Sequence, residues 1–185
     1  MLYVASATAL MGVLEPRIPG TPAPVRPAAP RAAPGAAPAG PRWFGPEGLP
    51  MVKPPYGRIT AIDLNTGEHK WMIANSDTPD WLKEHPALKG VNLPRTGTYE
   101  HSGLLVTKTL LFAGEGSGLF ATPPGSGGPK FRAIDKKTGE IISEFTLPAN
   151  QSGVPMTYMA HGKQYIVVSV GGVGKPAELV ALTLE

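Results

Sequence analysis

No cysteine occurs among the 185 residues, which excludes disulfides, thiolate metal centres, a cysteine nucleophile and covalent attachment of c-type haem. Charge is scarce as well. Only 17% of residues are charged, against 23 Gly and 22 Pro, a balance that favours turns and strands over long helices. No apolar run approaches the ~20 residues of a membrane-spanning helix. The opening stretch from Met1 to Leu14 lacks the basic region of an export signal and suits a buried strand at least as well. The Gly-x-Ser-x-Gly elbow of hydrolases is missing, and His69, His85, His101 and His161 show no metal-ligand spacing. The net charge of +3 comes from a local excess: Arg17, Arg26, Arg31 and Arg42 lie in a stretch without acids. No aromatic platform separates them, so they argue for a solvated loop and against nucleic acid.

What is present is a repeat. Ala61-Ile62-Asp63-Leu64-Asn65-Thr66-Gly67-Glu68 returns as Ala133-Ile134-Asp135-Lys136-Lys137-Thr138-Gly139-Glu140, with the two aspartates 72 residues apart. Each copy reads as strand, tight turn and strand. Asp63 or Asp135 accepts backbone hydrogen bonds across the corner, and Gly67 or Gly139 supplies the positive φ that a β-carbon resists. A position that recurs for turn geometry is a poor candidate for a catalytic acid or base.

Composition divides the chain into residues 1–15, a strand of an incomplete blade; 16–56, a Pro/Ala/Gly-rich flexible insertion; and 57–185, the blades proper. Strands are expected over 58–64, 68–74, 102–107, 110–114, 131–135, 140–147, 156–160, 164–169 and 178–184. One helical turn is expected within 79–85, after a cap at Asp77 or Thr78. The glycine runs Gly114-Glu115-Gly116-Ser117-Gly118 and Gly171-Gly172-Val173-Gly174-Lys175 lack the helix and hydroxyl sequel of a phosphate loop and read as turns. The unit is an inner strand pair, a connection and an outer pair that carries the repeat. The chain is therefore all-β: a partial β-propeller of four-stranded antiparallel blades, about two blades plus part of a third, with long Pro/Gly-rich loops.

Further motifs accompany the repeat: Gly48-Leu49-Pro50, Lys53-Pro54-Pro55-Tyr56-Gly57, Trp71, Phe131-Arg132, Leu147-Pro148-Ala149, Pro155-Met156-Thr157-Tyr158, Gly162-Lys163-Gln164-Tyr165 and Gly171-Gly172. In this order they resemble the carboxyl-terminal part of a pyrroloquinoline-quinone (PQQ)-dependent dehydrogenase of the membrane-associated glucose dehydrogenase type. The resemblance implies an eight-bladed propeller locked by tryptophan-docking motifs, with Asp63, Gly67 and Trp71 in one copy and Asp135 and Gly139 in the other. Ser143 stands where the second copy would carry its indole.

The resemblance also implies oxidation of a sugar or alcohol in the periplasm or at the periplasmic face of the inner membrane. PQQ is the acceptor of two electrons, calcium is the usual cation, and electrons leave to a membrane quinone or a cytochrome. The family's catalytic Asp, cation ligands and quinone-binding Lys belong to earlier blades, so no catalytic, cofactor-binding or metal-binding residue is expected in this chain. Met1 resembles an internal methionine of a longer protein, and the expected partners are the remaining blades. Tyr99 and His101, just ahead of an inner strand, are the candidates for lining a substrate funnel. The alternative is a non-enzymatic propeller module that binds protein. Gly-Leu-Pro and Lys-Pro-Pro-Tyr-Gly favour the dehydrogenase.

Overall fold

The structure, a computed structural model, describes residues 1–8, 47–100, 102–116, 127–172 and 174–183. Within them are ten strands: β1 (Leu2–Ala7), β2 (Gly57–Ile62), β3 (His69–Ala74), β4 (Leu104–Val106), β5 (Leu110–Gly114), β6 (Lys130–Asp135), β7 (Ile141–Thr146), β8 (Met156–Ala160), β9 (Lys163–Gly172) and β10 (Lys175–Thr183). One short helix, α1 (Asp80–Lys83), and a 3-10 turn over Pro86–Leu88 interrupt them. Neither helix is long and apolar enough to cross a membrane. The strands form a three-stranded sheet β1-β2-β3, a four-stranded middle sheet β4-β5-β6-β7 and a three-stranded sheet β8-β9-β10, and every pairing is antiparallel. This is the blade architecture expected of a partial propeller.

Register makes the repeat literal. Tyr3 faces Ala61 on β2 as Phe112 faces Ala133 on β6. Both outer hairpins then shift register at the same place, between Ala61 and Ile62 and between Ala133 and Ile134, so that Trp71 pairs with Ala61 and Ser143 with Ala133. The indole and the serine therefore occupy equivalent positions. By the same correspondence β1 takes the place of β5 in the first sheet, while β8 and β9 take the places of β4 and β5 in the third.

Alternation along the middle sheet builds two cores. Phe112, Phe131 and Ala133 face the third sheet and pack with Leu147, Ala149, Val168 and Val170. Leu111, Ala113 and Ile134 face the first sheet and pack with Ile59, alongside Tyr3, Trp71 and Ile73.

Several boundaries differ from expectation for local reasons. The α1 cap is Pro79, which makes no side-chain cap bond: Thr78 Oγ1 accepts Thr96 N–H and donates to the Pro94 carbonyl, and Asp77 accepts from Arg95. β4 starts at Leu104 because Ser102 Oγ donates to the Gly114 carbonyl and the Gly103 carbonyl accepts from Gln151. β10 begins earlier than expected, with a register irregularity between Lys175 and Glu178. It is an edge strand, where Pro176 leaves no ladder bond unmade. The insertion expected over 16–56 lies largely outside the described residues. Its end does not, and Tyr56 is buried and donates its N–H to the Thr96 carbonyl at 2.7 Å.

Candidate functional site

The two ends of the sheets differ. One end carries the tight turns. In the first, Gly67 N–H donates to the Asp63 carbonyl at 2.7 Å and Asp63 Oδ1 accepts Asn65 N–H at 2.9 Å. In the second, Gly139 N–H donates to the Asp135 carbonyl at 2.8 Å and Asp135 Oδ1 accepts from Lys137 and Thr138. Backbone donors stabilise the ionised form, and both carboxyls sit below their ordinary range, Asp63 chiefly through Asn65 and Asp135 chiefly through Lys137.

Trp71 links the two copies. Its indole Nε1 donates to the Lys136 carbonyl at 3.2 Å, and the ring covers Gly139, whose Cβ, were it present, would lie 2.9 Å from the indole. Tyr3 joins from β1: its hydroxyl donates to the same carbonyl at 2.9 Å and its ring lies 5.8 Å from the indole. The first sheet is thus fastened onto the turn of the middle sheet, with a glycine where any side chain would strike the ring.

The opposite end carries the long connections, from β3 to β4 and from β5 to β6, and a charged cluster ties them together. Arg132 alternates with Phe131 and Ala133 on β6, so its guanidinium enters the side occupied by Ile134, where it is 3% exposed. Its Nη2 reaches Glu115 Oε1 at 2.7 Å and Asp77 Oδ1 at 3.3 Å, and its Nε reaches Glu144 Oε2 at 2.8 Å. Lys130 Nζ bridges Asp77 at 2.8 Å and Glu144 at 2.9 Å, while Arg95 donates to Asp77 from further along the β3–β4 connection. Three carboxylates meet three cations. Burial works to raise the Asp77 carboxyl, but hydrogen bonds from Lys130 and Arg95 and the neighbouring Arg charges outweigh it and hold the group at about 2. Glu144 is held below its ordinary range by the same contest between burial and its bonds with Lys130 and Arg132.

A cleft of about 520 Å³ opens beside this cluster, lined by Ser76, Asp77, Trp81, Lys83, Glu115 and Lys130 among others. Its charged walls are largely committed to one another. Asp77 is shared by three cations, and Lys83 pairs with Asp80 at 3.0 Å.

The residues singled out in the sequence are dispersed. Asp63, Gly67, Asp135, Gly139 and Trp71 all belong to the turn end. Tyr99 lies at the other end, stacked on Tyr56 with ring centroids 4.6 Å apart, and burial, then Tyr56, pushes its hydroxyl pKa up. His101 is outside the described residues. His161 occupies a two-residue turn with Gly162, both at positive φ, the geometry of a type I′ hairpin. The cluster around Arg132 was not foreseen. Its one signal in the sequence is an arginine inside the apolar strand Phe131-Arg132-Ala133-Ile134, which demands buried partners without naming them.

PQQ is a flat quinone bearing carboxylates, and its site requires cations to meet them, a stacking surface and ligands for a metal ion. The described residues do not fit it. Arg132 and Lys130 are spent on carboxylates of the chain itself, Trp71 is docked on a turn, Tyr56 and Tyr99 stack on each other, and the described His, Asp and Glu form no group of metal-ligand geometry.

The family model described as "PQQ: Glucose/ethanol/alcohol dehydrogenase, beta-propeller domain" matches residues 17–166. A probable quinate dehydrogenase (quinone) from Xanthomonas campestris pv. juglandis is 34% identical over 137 residues, 71% of this chain and 15% of that protein. The glycerol dehydrogenase large subunit of Gluconobacter thailandicus is 33% identical over 138 residues, 71% of this chain and 16% of that protein. The quinoprotein glucose dehydrogenase of Escherichia coli K12 is 32% identical over 136 residues, again 71% of this chain and 15% of that protein. The chain thus spans a small part of the length of the relatives it matches.

Proposed function

Since this chain belongs to the PQQ-dependent glucose/ethanol/alcohol dehydrogenase propeller family, we propose that it supplies one four-stranded blade and parts of the two beside it to such a propeller, completing the ring and walling one sector of its funnel. The observation that carries the reading is the pair of uncovered outer faces. Val4 and Met72 share the face of the first sheet turned away from its core, and Met156, Tyr158 and Leu179 share the corresponding face of the third; all are exposed. Exposed apolar sheet faces flanking a buried middle sheet match the stacking of further blades on either side.

In this reading the assembled protein oxidises a sugar or alcohol at the periplasmic side of the membrane. The PQQ and calcium sites would belong to other blades, where the bound cofactor would supply the two-electron acceptor, and a membrane quinone or a cytochrome would be the final acceptor. The part played by this chain is scaffolding. It fixes neighbouring blades at a set angle through Trp71 and the Arg132 cluster, and brings the Tyr99 segment to the start of inner strand β4.

The test is direct. The purified chain, supplied with PQQ, calcium and either glucose or glycerol, should not reduce an artificial electron-accepting dye. Turnover by the isolated chain would overturn the assignment of catalysis to other blades.

A further inference from the structure

Two long connections leave the same end of the sheets, and both begin within the reach of one buried side chain. Asp77 stands three residues beyond β3, at the start of the β3–β4 connection, and Glu115 immediately follows β5, at the start of the β5–β6 connection. Arg132 Nη2 donates to both, and its Nε is held by Glu144 on β7. A guanidinium fits this task because its rigid fork offers donors at fixed angles to several carboxylates, whereas an ammonium is a single point with a flexible stem. Two further bonds run between the same segments: Ser76 Oγ donates to the Glu115 carbonyl at 3.3 Å, and Asn75 Nδ2 to the Gly114 carbonyl at 3.2 Å.

We propose that Arg132 is a positioning residue that couples the described ends of the two connections, so that loosening either end is transmitted to the other. Both carboxylates belong to one charge cluster, in which Arg132 and Glu115 are buried and Asp77 is half-exposed. Three carboxylates balance three cations, so neutralising either arm leaves an excess positive charge around a guanidinium almost closed to water, and the remaining contacts of the cluster loosen together. Coupling of this kind is reciprocal by thermodynamic necessity. The cleft is lined by residues of both connections, Asp77 of one and Glu115 of the other among them, so a molecule seated there would contact both at once. The inference concerns this chain alone and stands whether or not the blades serve a dehydrogenase.

Hydrogen exchange read by mass spectrometry tests it on the whole chain. Asp77→Asn should accelerate exchange by about tenfold or more both in its own connection, over 75–98, and in the other, over 115–116 and 127–129, and Glu115→Gln should do the same in both. Val168→Ala, which weakens the core on the far side of the middle sheet, should leave the difference between these segments and the strands unchanged. Arg132→Lys should restore part of the protection lost in Arg132→Met. The coupling is overturned if each carboxylate variant loosens only its own connection, if exchange rises equally throughout the chain, or if Val168→Ala produces the same pattern.

Discussion

The middle sheet meets its two neighbours through opposite faces of the same strands, and the two contacts are built differently. Toward the third sheet it offers Phe112 and Phe131, stacked with centroids 6.0 Å apart, onto Val168 and Val170. Toward the first sheet the apolar core is smaller, and directional contacts supplement it: the Trp71 indole and Tyr3 hydroxyl on the Lys136 carbonyl at one end, the Arg132 cluster at the other. Ser143 occupies the position equivalent to Trp71 on the outer strand of the middle sheet. Where the indole is missing, aromatic side chains in the core supply the contact area. Apolar burial tolerates small shifts of one sheet against another, whereas hydrogen bonds and a ring over a glycine hold a single arrangement.

The largest effect should follow from cutting the apolar contact. Phe131 is fully buried, and Phe131→Ala should destabilise the chain by about 3–5 kcal/mol through lost transfer free energy and the cavity left behind. Ile59→Val, in the core on the other side, should cost only about 0.5–1.5 kcal/mol. Urea unfolding measures both. A loss at Phe131→Ala no larger than that at Ile59→Val would show that apolar burial does not carry the contact with the third sheet.

Much of this comparison was legible in the sequence, because turn chemistry is local. Asp-x-x-Thr-Gly specifies its own hydrogen bonds within five residues, and spacing from the glycine located Trp71 and its missing counterpart at Ser143. The four-strand unit followed from alternation. The charge cluster was not legible. Arg132 and Asp77 are 55 residues apart, and Arg132 and Glu115 are 17 apart, on separate connections. Asp77 read as a candidate helix cap, since nothing local announces a partner that arrives from another sheet. The aromatic pair Tyr56 and Tyr99 was hidden for the same reason: one ring ends the Pro-rich stretch and the other precedes an inner strand.

The two repeated turns offer a sharper and smaller test. Gly67 and Gly139 have nearly the same φ, 74° and 79°, yet a Cβ on Gly67 would meet nothing within 4 Å while one on Gly139 would strike the indole. Gly67→Ala should cost about 1 kcal/mol, the penalty of the left-handed backbone alone. Gly139→Ala should cost about 1–3 kcal/mol more, because the ring must shift. In a Trp71→Ala background most of that excess should vanish, since the obstructing ring is gone and only the Ile73 methyl, 3.3 Å from the added Cβ, stays close. An excess that persists undiminished without the indole would mean that the docking contact is not what makes the second turn costly to alter.

The smallest effect should appear in acid and should separate the charged contact from the apolar one. Asp77 has a folded-state pKa of about 2, below the ordinary carboxylate value of 3.8. A group with a depressed pKa binds fewer protons folded than unfolded. Its contribution is therefore present in full above the ordinary value and is lost as pH falls through that value toward about 2. Glu144 shifts in the same direction, so the contact between the first and middle sheets should weaken over this range, while the contact around Phe131 contains no titrating group. Asp77→Asn removes the proton-linked part. Its melting temperature should fall less steeply than that of the unaltered chain between pH 4 and pH 2, and parallel curves would show that the cluster contributes nothing to the acid response.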